Sequence, residues 1–154
     1  MADASVVHRL YDAFQARDGA AMQACYTDDA TFRDPVFQLS GAEEIGAMWT
    51  MLLEQGDDLE IEVSGIQADA TRGRAHWDAT YSFGPAQRRV VNRIDASFVL
   101  VDDRIAEHED RFDLWRWTRQ ALGPTGVLLG WSPMVHDRVR AQARRGLERW
   151  RSNQ

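Results

Sequence analysis

The chain has no lysine and one cysteine, Cys25, in 154 residues. Without lysine it cannot run Schiff-base chemistry. A lone thiol excludes an internal disulfide framework and any zinc site built from several cysteines. Long apolar runs are also missing. The longest, Gly126-Val-Leu-Leu-Gly-Trp131, falls far short of the roughly 20 residues a membrane-spanning helix needs. The stretch from Met1 to His8 has neither the basic nor the apolar region of an export signal. These absences lead us to expect a soluble, cytoplasmic protein with no membrane partner. All 18 basic residues are arginine, against 24 acidic ones, for a formal charge of −6. The charge is uneven: residues 132–154 carry +4, which leaves −10 on the rest. A body so acidic lacks the basic face that phosphate neutralisation requires, so a nucleic-acid partner is not expected.

What is present suits one globular domain. The chain is 44% hydrophobic, and at this length folding hides roughly 70% of the unfolded surface. Apolar residues at helical spacing predict a helix over Ser5–Arg17 and a short second one over Ala20–Tyr26. Thr27-Asp28-Asp29 reads as a turn and Ala30–Arg33 as a short strand. A third helix starts near Ser40, where Ser40 and Glu43 have capping-box spacing, and buries Ile45, Met48, Trp49, Leu52 and Leu53. From Asp57 the period changes to two. Leu59–Gln67, Arg72–Phe83, Arg88–Val101 and Ile105–Trp117 are strand candidates separated by short turns, which makes an antiparallel meander. Helices followed by strands indicate an α+β fold. Residues 118–131 read as a linker, and Ser132-Pro133 opens a basic C-terminal helix with the apolar stripe Val135, Val139, Ala143, Leu147 and Trp150.

The strands alternate clearly, but alternation alone leaves two readings. Over Arg72–Phe83 one face carries Arg74, His76, Asp78, Thr80 and Ser82, the other Ala75, Trp77, Ala79, Tyr81 and Phe83. A sheet buried on one side would hide the second set and wet the first. A sheet curved around a pocket could instead line that pocket with the polar set.

The stretches Val7-His-Arg-Leu-Tyr-Asp-Ala-Phe-Gln-Ala-Arg-Asp18, Tyr26-Thr-Asp-Asp-Ala-Thr-Phe-Arg-Asp-Pro-Val36 and Gly41-Ala-Glu-Glu-Ile45 resemble the nuclear transport factor 2-like superfamily. Within it the chain is similar to SnoaL-like domains, ketosteroid isomerases and limonene epoxide hydrolases, over about residues 5–117. The resemblance implies a curved antiparallel sheet packed on three helices, forming a cone-shaped pocket over residues 1–117. Residues 118–154 then form a linker and a basic helix docked on that domain. It also implies dimers, no cofactor, and a small apolar organic ligand. Carried over by position, Asp34 matches a proton-shuttling carboxylate and Asp95 an oxyanion-hole aspartate. Asp110 matches the base of SnoaL-like cyclases, and Asp78 the second aspartate of the epoxide hydrolases. Arg93 could bridge Asp78 and Asp110. The oxyanion tyrosine falls at Leu10, one residue before Tyr11. Phe32, His76, His108 and Phe112 would complete the lining, with Trp49 at the mouth. A metal cluster of His76, Asp78, His108 and Asp110 is conceivable by residue type, but the resemblance implies none. These readings expect Asp78, Arg93, Asp95 and Asp110 inside the cone. They put Trp77, Tyr81, Ile94 and Phe98 on the outer face, as the apolar surface of a homodimer. The functional expectation is acid–base chemistry of the isomerase, cyclase, dehydratase or epoxide hydrolase kind. The alternative is a non-catalytic ligand-binding or dimerisation module.

Overall fold

The computed structural model describes residues 5–124, 128 and 130–154. Among these the chain runs α1 (Val6–Gln15), α2 (Gly19–Gln23), β1 (Tyr26–Arg33), β2 (Gln38–Ser40), α3 (Ala42–Gln55), β3 (Glu60–Ala68), β4 (Arg72–Phe83), β5 (Arg88–Val101), β6 (Arg104–Arg111), α4 (Leu114–Leu122) and α5 (Pro133–Ser152). The strands form one curved α+β sheet in the order β2-β1-β6-β5-β4-β3. Only the β1–β6 pair is parallel; the others are antiparallel. No described helix is long and apolar enough to cross a membrane.

Local chemistry fixes the element ends. Ser5 caps α1, which buries Val6, Val7, Leu10, Tyr11, Ala13 and Phe14 on one side. The cap expected at Ser40 shifts by one residue. Gly41, at φ 95°, leads into α3, and that left-handed region is open to glycine at little cost. Glu44 then accepts from the Ser40 amide at 3.3 Å. The last strand is shorter than the sequence suggested. It ends at Arg111, and Asp113 caps α4 by accepting from the Arg116 amide. Strand β2 and helix α4 have no counterpart in the sequence reading, and Tyr26 belongs to β1 rather than to α2. Ser132 and Pro133 do open the last helix. The Thr125-Gly126 portion of the expected linker, and much of the apolar run to Trp131, lie outside the described residues.

The sheet faces overturn part of the expected site. On β4 and β5 the apolar residues Ala75, Trp77, Ala79, Ile94, Ala96 and Phe98 are buried against the helices. His76, Asp78, Arg93 and Asp95 alternate with them and lie on the outer face, where Asp78 stands opposite Arg93 and His76 opposite Asp95. The reason is register. Asp102 and Asp103 both have positive φ, and Val101 pairs with Arg104 across this two-residue turn. Counting straight on from there would put Asp95 opposite Asp110. The register shifts between Val99 and Leu100, and beyond the shift Asp110 faces Ala96 while Asp95 faces Arg111. A one-residue slip moves side chains to the other face. It therefore separates Asp110, which points inward, from Asp78, Arg93 and Asp95, which do not.

The C-terminal helix packs on α3. Leu147 is buried, Arg144 and Arg151 reach Glu44, and Trp150 donates to Glu54. Helix α4 extends the core with Leu114, Trp117 and Ala121 over Val90.

One arginine closes the base of the helical layer. Arg17 follows α1 at φ 58°, and its guanidinium donates to the carbonyls of Leu53, Gly56 and Leu59 at 2.6, 2.8 and 3.3 Å. Leu53 offers one of the carbonyls that the end of α3 leaves open, while Gly56 and Leu59 belong to the turn that follows it. Arg17→Ala loses the bonds and keeps the left-handed backbone, so it should cost about 1–3 kcal/mol. Arg17→Gly loses the same bonds but relieves about 1 kcal/mol of backbone strain. Thermal melts should rank wild type above Arg17→Gly above Arg17→Ala; equal melting of all three would remove Arg17 from the packing of α3.

Candidate active site

The interior polar site is a hydrogen-bonded chain that begins on β1 and α3 and ends on β6. Trp49 Nε1 donates to the Tyr26 hydroxyl at 3.0 Å. Tyr26 lies 2.8 Å from His108 Nδ1, and His108 Nε2 lies 2.8 Å from Asp110 Oδ1. Tyr26, Trp49, His108 and Asp110 are all buried. With a neutral imidazole we assign the protons one way: Tyr26 O–H donates to Nδ1, and Nε2–H donates to Asp110. Every donor then points toward the carboxylate. Among the described residues no group donates to the other Asp110 oxygen, Oδ2.

The two strand irregularities assemble this chain. Tyr26 pairs with Ile105, and after a shift in register Phe32 pairs with His108. The matching shift on the other side of β6 lets Ile105, His108 and Asp110 all turn inward. Phe32, Trp49 and Phe98 pack around the imidazole, with Phe32 edge-on at 4.9 Å and Phe98 at 4.4 Å between centroids. Trp49 is thus a buried wall and not the rim residue expected. Phe112 is partly buried and packs against both apolar clusters.

Asp34 completes the site from the end of β1. Its Oδ1 accepts from the amides of Val36 and Phe37 at 2.7 and 2.6 Å, within a turn fixed by Pro35. Burial pushes its carboxyl up to about 7, the two amides oppose that, and the charge of Asp110 raises it further. Helices α4 and α5 hold this corner. Trp117 donates to the Tyr81 hydroxyl at 2.6 Å, and Arg140 donates to the Pro35 carbonyl at 2.7 Å. Burial also lifts the Tyr81 hydroxyl, with the Asp34 charge contributing. Two carboxyls in one interior, one on an imidazole and one held partly neutral, meet the requirement for separate acid and base roles at neutral pH.

Three buried donors have no hydrogen-bond partner among the described residues: the Tyr11 hydroxyl and Trp77 Nε1 in the interior, and Arg119 Nε on α4. Tyr11 stands one position from the residue matched to the family's oxyanion tyrosine, yet its ring is enclosed by Trp77 and Phe98, at 6.3 Å from each. Burial pushes its hydroxyl well above the usual phenol value, and the Asp110 charge adds to this. A hollow of about 360 Å³ opens beside Phe14, Arg17, Leu53, Leu59 and Ile61.

The remaining expected residues are elsewhere. His76 lies on the outer face between Asp78 at 2.8 Å and Asp95 at 2.9 Å, and Asp95 is largely exposed. The Asp95 hydrogen bond, then that of Asp78, holds the His76 imidazole above its usual value against some desolvation. The bridge from Asp78 through Arg93 to Asp110 does not form, since the sheet separates them. The same division keeps His76 and Asp78 from His108 and Asp110, so the conceivable four-residue metal cluster is not assembled. Tyr26 is the site residue that sequence pattern does not reveal, because helical spacing extends to it whereas the chain places it at the start of β1.

The SnoaL-like domain family matches residues 7–108. The chain belongs to this family. No curated protein matches it. Among solved structures, a protein described as a polyketide cyclase from Xanthomonas campestris pv. campestris is 19% identical, with 75% of this chain and 93% of that one covered at a TM-score of 0.62. An epoxide hydrolase from M. tuberculosis, described as LEH-like, is 21% identical, covering 84% and 92% at a TM-score of 0.60. A Catenulispora acidiphila protein with a ketosteroid isomerase-like fold, in complex with trimethylamine, is 12% identical, covering 77% and 93% at a TM-score of 0.67. At such identities the likeness establishes the fold. This SnoaL-like chain keeps Asp34 and Asp110 on the inner side and turns the other matched carboxylates to the outer face.

The raised pKa of Asp34 sets a pH dependence. A free aspartate titrates near 3.9, so the folded chain binds this proton more tightly than the unfolded chain does. The stability that proton contributes is full below about pH 4 and lost as pH rises through about 7. Asp34→Asn keeps an acceptor for both amides and removes the charge. Its melting temperature should exceed wild type most at pH 8, by about 2–4 °C for each kcal/mol, and the margin should shrink toward pH 4. Melts at pH 5 and pH 8 that show one constant difference would mean that Asp34 has an ordinary solvated carboxyl.

Proposed function

We propose that this SnoaL-like protein is an enzyme of small-molecule acid–base chemistry, of the isomerase, cyclase, dehydratase or epoxide hydrolase kind, acting on a compact, largely apolar organic substrate. The observation that carries the reading is Asp110. It is 3% exposed, bound through Oδ1 to an imidazole that is itself hydrogen-bonded, and without a donor on Oδ2 among the described residues. A structural carboxylate in such a place would have both oxygens satisfied, because a buried charge is costly unless fully paired. A base needs one oxygen held and one open to the substrate. Asp34, with its carboxyl near neutrality, is the partner that returns or accepts the proton. The aromatic walls favour an apolar body on the substrate. A homodimer stays part of this reading on the family resemblance, since Trp77, Tyr81, Ile94 and Phe98 face the helices.

The test is Asp110→Asn with a panel of compact cyclic ketones, enones and epoxides in D2O, followed by NMR for carbon-bound proton exchange and for hydration. Wild type should turn over members of the panel. The variant should be slower by at least about 100-fold, the usual contribution of a positioned acid–base group, with its melting temperature held or raised. A folded variant that works at the wild-type rate would remove Asp110 from the chemistry and favour a binding module on the same fold.

A further inference from the structure

We infer that Arg140 of α5 is a positioning residue for Asp34 and acts on it through one peptide group, the one that joins Pro35 to Val36. The inference rests on the reading of Asp34 as the proton-handling partner of Asp110, and it gives the basic C-terminal helix a part in that chemistry. Helix α5 lies beyond the stretch shared with the SnoaL-like family, so no matched position of the family assigns this residue.

Three consecutive links carry the argument. Arg140 Nε donates to the Pro35 carbonyl at 2.7 Å. That carbonyl and the Val36 N–H belong to one planar trans peptide group and point in opposite directions. The Val36 N–H then donates to Asp34 Oδ1 at 2.7 Å. A guanidinium thus sits at one end of the peptide dipole and a carboxyl at the other. A cation on the carbonyl draws electron density from the amide and makes its N–H a stronger donor. A donor aimed at a carboxyl favours the charged form. The second amide on Oδ1, that of Phe37 at 2.6 Å, belongs to the next peptide group and is not polarised in this way. Asp137, one helical turn before Arg140, accepts from its Nη1 at 3.1 Å and orients the guanidinium.

The other groups around Asp34 act on its charge through space. Burial opposes ionisation most; from β6, Asp110 also opposes it and His108 favours it. From β4 the Tyr81 hydroxyl senses the Asp34 charge, and α4 holds that hydroxyl through Trp117. Arg140 works from outside the interior, with a side chain 47% exposed, so it adds a cation without burying one. A carboxyl that handles protons is most useful with a pKa near the working pH, and Arg140 keeps Asp34 from rising past it.

The test is NMR of the Asp34 carboxyl across a pH series, and of the backbone amides, on full-length Arg140→Ala, Arg140→Lys and Arg144→Ala. Arg140→Ala should raise the Asp34 midpoint by about 0.5 unit. It should also move the Val36 amide proton upfield and leave that of Phe37 nearly in place. Arg140→Lys keeps a charged donor and should restore most of both. Arg144→Ala removes an ion pair between α5 and Glu44 without touching Pro35, so the Asp34 midpoint should stay at its wild-type value. With any substrate that is turned over, the limb of the pH–rate profile set by Asp34 should follow the midpoint. An unmoved midpoint in Arg140→Ala would overturn the inference. So would equal shifts of the Val36 and Phe37 amides, or an Arg144→Ala protein that reproduces the change, since either means that α5 is only a packed helix. Should Arg140→Ala fail to fold, Arg140→Gln, of similar length and uncharged, decides the case by the same rise in midpoint. The two readings fail separately. An active Asp110→Asn protein beside a raised midpoint in Arg140→Ala defeats the acid–base reading and leaves the coupling; an inactive Asp110→Asn protein beside an unmoved midpoint does the reverse.

Discussion

The interior is organised by the need to keep one carboxylate, Asp110, out of water. A buried carboxylate needs hydrogen bonds from every side it can get them. His108 supplies one, and the requirement then passes outward, because the imidazole needs Tyr26 and Tyr26 in turn accepts from Trp49. Three elements, β6, β1 and α3, are tied by this single sequence of contacts. The irregular registers on both sides of β6 are its geometric condition, since a regular ladder could not place Ile105, His108 and Asp110 on one face.

The same constraint explains the aromatic content of the cone. Phe14, Phe32, Trp49, Trp77 and Phe98 surround the polar chain and exclude water from it. Low water content strengthens each hydrogen bond and makes each unpaired polar atom more costly. Two donors of the interior, the Tyr11 hydroxyl and the Trp77 indole, carry that cost. The corner at Asp34 is held differently, by backbone amides within its own turn and by α4 and α5 from outside. That arrangement leaves Asp34 partly neutral without requiring a charged partner.

Much of the fold was legible from the residues. The α1 stripe, the switch to period two after Asp57, the Ser132-Pro133 start and the layout shared with the SnoaL-like family gave the element order. The inward placement of the apolar residues of β4 was also open to alternation alone, since a sheet covered on one side buries Ala75, Trp77 and Ala79. Carrying the family's matched positions across all strands inverted that face. What alternation could not reveal was a shift of one residue between Val99 and Leu100. Strand periodicity has no memory across such a shift, so the facing of Asp95 says nothing about the facing of Asp110. Tyr26 was missed for a related reason. It is separated from Phe32 by an irregular stretch containing Asp28 and Asp29, whose composition reads as a turn.

The central claim is that Asp34 and Asp110 share one interior and sense each other's charge. Carbon-detected NMR of the aspartate carboxyls across a pH series, on wild type and on Asp110→Asn, measures this directly. Asp34, raised chiefly by burial, should titrate near pH 7 in wild type and somewhat lower in the variant, which lacks the added charge of Asp110. A midpoint for Asp34 near 4 that is unchanged by Asp110→Asn would contradict it, and with it the assignment of the two carboxyls to a common site.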